Sequence, residues 1–207
     1  YELPNTGREV YSMNLAWRFI KGDVPGMPYT VNFDDSGWEV VSVPHGLEYL
    51  PEEASGCANY QGIAWYRKHF TPDERLKGKQ MFIHFEAIMG KSEVYVNGQL
   101  LKKHYGGYLP VINLLKWGEE NVIAVKADNS DDPSYPVGKP QNMLDFTYFG
   151  GIYRDCWLIA HNDVFITNAN YENEVAGGGL FVSYADVSEK SALVNLKAHI
   201  RNSSVSD

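Results

Sequence analysis

The residues best placed to do chemistry lie between Leu144 and Leu158, where the chain reads LDFTYFGGIYRDCWL. One carboxylate, Asp145, heads an aromatic loop of Phe146, Tyr148 and Phe149, and the loop runs through Gly150-Gly151 into an alternating, strand-like run. Glycines there permit backbone angles and close approaches that a side chain would forbid. A sugar offers hydroxyls to a carboxylate and apolar C–H faces to aromatic rings, so the composition of this loop suits a sugar or a partner surface. From Ile152 the alternation predicts a strand with Tyr153, Asp155 and Trp157 on one face and Ile152, Arg154 and Cys156 on the other.

Other reactive residues are weaker candidates. Glu86 and Glu93 flank an apparent strand connection and could approach each other, but outward-facing strand carboxylates are far commoner than a catalytic pair. Asn173-Glu174 sits in a polar turn, and an isolated dipeptide of this kind arises close to chance. His45, after Val43-Pro44, reads as a hydrogen-bonded core or loop histidine rather than a catalytic one. Asp128, Asp131 and Asp132 crowd one loop, but without the spacing of a calcium loop they read as an exposed turn. Cys57 and Cys156 have no metal-ligand spacing and read as two free thiols. No metal or cofactor is expected, and no GxSxG, HExxH or phosphate-binding loop occurs.

The elements that must position the loop read as strands. Trp17 and Phe19 share one face of an early extended segment, and Asp34 to Gly37 form a turn before a short strand at 40–43. Residues 46–64 form a long polar connection of the kind that is usually functional or disordered. Met81, Ile83 and Phe85 share a face, and Asn97-Gly98 between two strands suits a two-residue type I′ turn. Val122 and Ala124 oppose Ile123 and Val125. After Ala160 a new strand pattern begins, with Val194, Leu196, Ala198 and Ile200 expected inward. Many short strands with turn signals between them predict an all-β fold.

Asp145 followed by Gly150, Gly151, Ile152, Tyr153 and Arg154 closely resembles the end of the N-terminal sugar-binding domain of glycoside hydrolase family 2, the β-galactosidase, β-glucuronidase and β-mannosidase family. The Asp-Asp turn with Trp38 and Val43-Pro44-His45, then WYRK, Val96-Asn97-Gly98 and Gly106-Gly107-Tyr108 resemble the same family in the same order, over residues 17 to 160. The resemblance implies a jelly-roll β-sandwich (galactose-binding-like) over residues 1–162 and an incomplete immunoglobulin-like β-sandwich over 163–207. The second part has too few residues for a whole sandwich of ~100, so the sequence reads as ending inside that domain.

The resemblance further implies that Asp145 holds hydroxyls of a terminal β-linked sugar, with Phe146 and Tyr148 walling the pocket and Asn59 as a second contact. Gly150, Gly151 and Arg154 support the loop, Arg154 through an ion pair. The two catalytic glutamates of that family lie on a TIM barrel of about 250 residues, for which this chain has no room, so the chain is expected to be the non-catalytic part of an exo-acting retaining β-glycosidase. β-Galactosidase is the favoured activity and β-glucuronidase its rival. A free-standing carbohydrate-binding module or lectin on the same scaffold is the alternative from another class, because function belongs to sites rather than folds.

Bulk properties narrow the partners. The 207 residues carry 44% hydrophobic and 14% aromatic residues, ample for a core. A net charge of −8 argues against nucleic acid, whose phosphates call for clustered Lys and Arg. No apolar run of about 18 residues spans a membrane, and the opening YELPNTGREVYSMN lacks the basic start and apolar core of a signal peptide. The expected partners are a sugar, the catalytic barrel and a second copy in a homo-oligomer; the resemblance suits a soluble bacterial periplasmic or cytoplasmic enzyme.

Overall fold

The structure, a computed structural model, describes residues 7–48, 59–115, 118, 120–134, 139–144, 146, 149–175 and 177–204. Its first strands are β1 (Glu9–Ser12), β2 (Trp17–Lys21), β3 (Glu39–Val41), β4 (Ile63–Phe70), β5 (Gln80–Phe85), β6 (Lys91–Val96), β7 (Gln99–Tyr105), β8 (Val111–Leu115), β9 (Asn121–Asp128) and β10 (Cys156–His161). They build a β-sandwich of the expected jelly-roll type. One sheet runs β1-β10-β5-β8 and the other β3-β2-β4-β9-β6-β7, with antiparallel pairing throughout.

Alternation decides what each sheet buries. Trp17 and Phe19 of β2, Ala64 and Tyr66 of β4, and Ile123 and Val125 of β9 point into the sandwich. Met81, Ile83 and Phe85 of β5 meet them from the facing sheet. The β6–β7 hairpin turns at Asn97 (φ 51°) and Gly98 (φ 82°), the left-handed pair that a type I′ turn requires. Asn97 also ties that turn to β9, its Oδ1 accepting the Val122 N–H at 2.8 Å.

The outward face of the six-stranded sheet is covered as well. Trp65, Tyr95 and Ala124 pack under Val24, Tyr29, Phe33 and Trp38 from the segment between β2 and β3. Arg67 of β4 is wholly buried beneath that cover. Its Nε donates to Asp35 Oδ2 at 2.7 Å, and its terminal nitrogens donate to the carbonyls of Pro28, Thr30 and Phe33. Asp35 is therefore an anchor for the cover, a role its place in an Asp-Asp turn did not reveal.

Two expectations are corrected. The strand expected from Ile152 begins at Cys156, and Arg154 is exposed although Ile152 and Cys156 on either side of it are fully buried. Residues 150–155 bond to separate loops instead of to one ladder: the carbonyls of Gly150, Gly151, Ile152 and Asp155 accept the N–H groups of Leu47, Met89, His45 and Glu86. Beyond β10 follow β11 (Val164–Ile166), β12 (Leu180–Ala185), β13 (Leu193–Ala198) and β14 (Ile200–Asn202), paired as β11-β14 and β12-β13. Val194, Leu196, Ala198 and Ile200 are exposed here instead of inward, since among the described residues no layer lies over the β12-β13 pair.

Candidate functional site

The root of the 144–149 loop is built on glycines. Gly151 has φ +93°, a region side chains avoid, and a Cβ there would lie 2.9 Å from His45 O and collide with Tyr66 Oη. A Cβ at Gly150 would fall 2.7 Å from both Asn129 Cγ and Leu47 Cδ1. The backbone closes these contacts, with His45 N–H bonded to Ile152 O at 2.8 Å and Met89 N–H to Gly151 O at 2.9 Å. His45 is buried beneath, its Nδ1 2.9 Å from Tyr66 Oη and its ring edge-on to Phe19. Burial holds the imidazole below the ordinary histidine range, with Glu39 opposing weakly. His45 is the hydrogen-bonded core histidine that its residue context favoured.

A second segment, 59–62, lies beside this root. Tyr60 N–H donates to Glu48 Oε2 at 2.7 Å, and Tyr60 Oη donates to Ile63 O at 2.7 Å. Asn129, buried at the end of β9, accepts the Gly62 N–H at 2.9 Å and donates to Tyr60 O at 2.8 Å. Gln61 Nε2 reaches Asp131 Oδ1 at 3.1 Å and Gln141 Oε1 at 3.3 Å. Asp131 Oδ1 also accepts the Gln141 N–H, at the start of a one-turn 3₁₀ helix, Gln141–Met143.

Of the residues the sequence singled out, Asp145 and Tyr148 lie outside the described residues, as does Cys57. Phe146 is exposed, and Phe149 is exposed where it flanks Gly46. Asn59 is half-buried at the head of the 59–62 segment. Arg154 forms no ion pair among the described residues; its guanidinium lies 5.5 Å from the centre of the Tyr153 ring, and Tyr153 Oη bonds to Gly107 O instead.

The remaining carboxylates are engaged structurally. Glu86 accepts from Trp157 Nε1 at 2.9 Å, while Glu93 pairs with Lys103 at 2.8 Å and with Tyr95 Oη, so the two do not form a pair. Asp128 caps Ser130, and Asp132 pairs with Lys91 at 2.7 Å. Among the described residues no group of three or more His, Cys, Asp or Glu is arranged to hold a metal ion. Cys156 is a buried free thiol whose pKa burial pushes well up. Sequence reasoning missed Asn129, Gln61 and Gln141, whose only signal was polar residues standing just outside a strand or a glycine-rich turn.

Comparison with known proteins gives one consistent answer. Residues 27–162 match the family described as glycosyl hydrolases family 2, sugar binding domain. A β-galactosidase of Thermoanaerobacter pseudethanolicus is 39% identical over 171 residues, covering 80% of this chain and 22% of that protein. A β-glucuronidase of Formosa agariphila is 32% identical over 216 residues, covering 97% of this chain and 22% of its own. The crystal structure of a Bacteroides uniformis β-glucuronidase superposes with a TM-score of 0.77 at 31% identity, covering 94% of this chain and 22% of that one. This chain therefore spans about a fifth of the length of the curated relatives it matches.

Proposed function

The chain belongs to glycosyl hydrolase family 2 through its sugar binding domain, and on that premise we propose that it is the non-catalytic N-terminal part of an exo-acting retaining β-glycosidase, with a β-galactoside as substrate. The chain divides at residue 162 into the jelly-roll domain and the first strands of an immunoglobulin-like domain. The catalytic glutamates sit on a barrel elsewhere in a longer polypeptide. Asp145 accepts hydrogen bonds from hydroxyls of the terminal sugar, Phe146 and Tyr148 wall the pocket, and Asn59 adds a second polar contact. Interactions made there orient the anomeric carbon between the two glutamates, and only those that strengthen in the transition state raise the rate.

The observation that carries this reading is the root of the loop. Gly150 and Gly151 are pressed against Asn129, Leu47, Tyr66 and His45, and their carbonyls are bonded to two other loops. A root fixed in that way supports a preorganised side chain, which a substrate-holding carboxylate requires. The galactoside is favoured by the relative of that name at 39% identity, and a glucuronide by relatives named for it.

The test is hydrolysis of nitrophenyl β-galactoside, β-glucuronide and β-mannoside by the longer polypeptide and by this chain alone. Turnover of one sugar by the longer protein and of none by this chain supports the reading and names the substrate. Turnover by this chain alone contradicts the reading. Sugar binding without turnover by either favours the lectin alternative.

A further inference from the structure

We infer that Asn129 is a positioning residue for sugar binding, tying the segment that carries Asn59 to Gly150 at the root of the 144–149 loop so that the two segments act on one sugar as a unit. The inference rests on the reading above and adds to it a residue that never touches the sugar.

Both functions of the Asn129 amide are used on one short stretch. Oδ1 accepts the Gly62 N–H at 2.9 Å, and Nδ2 donates to Tyr60 O at 2.8 Å. The side chain is buried, so neither bond is exchanged for water. Residues 59–62 precede β4, and Asn59 lies next to the Tyr60 carbonyl so held. The other side of the Asn129 amide faces Gly150, where a Cβ would fall 2.7 Å from Cγ. One amide plane is therefore a spacer between the two segments: it fixes Tyr60 and Gly62 by hydrogen bonds and Gly150 by contact.

The far end of the loop is joined to the same stretch. Gln61 Nε2 lies 3.1 Å from Asp131 Oδ1 and 3.3 Å from Gln141 Oε1, and Gln141 N–H also donates to Asp131 Oδ1. Gln141 stands four residues before Asp145 and Gly150 five residues after it. The 59–62 stretch thus reaches both ends of the segment bearing Asp145, through Gln61 at one end and Asn129 at the other. A shift in either bridge moves Asn59 relative to Gln141 and Gly150, and a displacement of about 1 Å can cost on the order of a hundredfold in rate.

The experiment measures kcat and KM on the nitrophenyl glycoside that the longer polypeptide turns over. The variants are Asn129→Asp, Gln61→Ala, Asn59→Ala, Asp145→Asn and the doubles of the first two with Asn59→Ala. Asn129→Asp keeps the shape and the acceptor for Gly62 but removes the donor to Tyr60. It is expected to lower kcat/KM about ten- to a hundredfold, with a smaller loss in the same direction for Gln61→Ala. In the Asn59→Ala background each loss shrinks, because residues acting through one another are not additive.

An equal fold-loss in both backgrounds overturns the inference, as does wild-type KM and kcat in both single variants. Should Asn129→Asp fail to fold, the cycle of Gln61→Ala with Asn59→Ala decides the same question at a half-buried site. The two failures are distinguishable: unchanged kinetics in Asp145→Asn and Asn59→Ala sink the sugar-binding reading itself. Losses there with none at 129 or 61 sink only the coupling.

Discussion

Gly151 and Tyr66 touch so closely that no side chain fits between them: a Cβ at 151 would collide with the phenol oxygen, at a backbone φ of +93°. Replacing Gly151 with alanine therefore adds left-handed strain and overpacking together, for a loss on the order of 3 kcal/mol. Urea unfolding of the chain measures it. A loss below about 0.5 kcal/mol, the range of ordinary surface changes, would mean that the loop root gives way and does not hold its neighbours.

The second prediction concerns Arg67, buried with Asp35 at 2.7 Å and under three backbone carbonyls. Arg67→Ala strands a carboxylate and frees the cover between β2 and β3, costing about 3–5 kcal/mol. Arg67→Lys recovers only part of this, because a single ammonium cannot reproduce the fork of five N–H donors. Denaturation midpoints of the two variants decide the matter, and a lysine variant as stable as the parent would show that charge alone suffices.

A third prediction follows from buried titratable groups. Burial, the largest cause in each case, holds His45, His84, His104 and His161 below the ordinary histidine range. The unfolded chain then takes up protons first as pH falls, so this stability is complete above the unfolded value near ~6.5 and is lost below it. For Asp35, burial pushes the pKa up, but hydrogen bonds from Arg67 and His69 outweigh it and leave the carboxyl below its usual value. Its contribution is present above about pH 4 and disappears as pH falls through the depressed pKa. Thermal midpoints should decline from pH 7 to 5 and again below 4, and His45→Gln should flatten the first decline. Stability that rises between pH 7 and 5 would refute the assignment.

How much of this was legible in the sequence depends on whether a feature is local. Asn97-Gly98 specifies its own turn, and Met81, Ile83 and Phe85 their own face, because strand period and turn chemistry act over a few residues. Arg67 gave no such sign: it stands on the outward face of β4 and is buried only because residues 22–38 fold over it. Asn129 was read within a polar turn, yet its partners lie 67 and 69 residues away. The strand expected from Ile152 starts four residues late because the neighbouring carbonyls bond to two different loops, at 45–47 and 86–89, which alternation cannot foresee. The apolar face at 192–200 was read correctly as apolar, but periodicity says nothing of what covers it. For the site, the glycines and their tight packing were legible as a motif, whereas the network joining 59–62 to Gln141 was not.

The most direct test of the central claim is the kinetics of Asp145→Asn in the longer polypeptide, on whichever nitrophenyl glycoside it hydrolyses. The substitution keeps the shape of the side chain and removes its charge. The account predicts a fall in kcat/KM of about tenfold or more, since hydrogen bonds to a charged group contribute about 1.5–3 kcal/mol, with the thermal midpoint unchanged. Wild-type kcat and KM in that variant would contradict it and leave the 144–149 loop as structure alone.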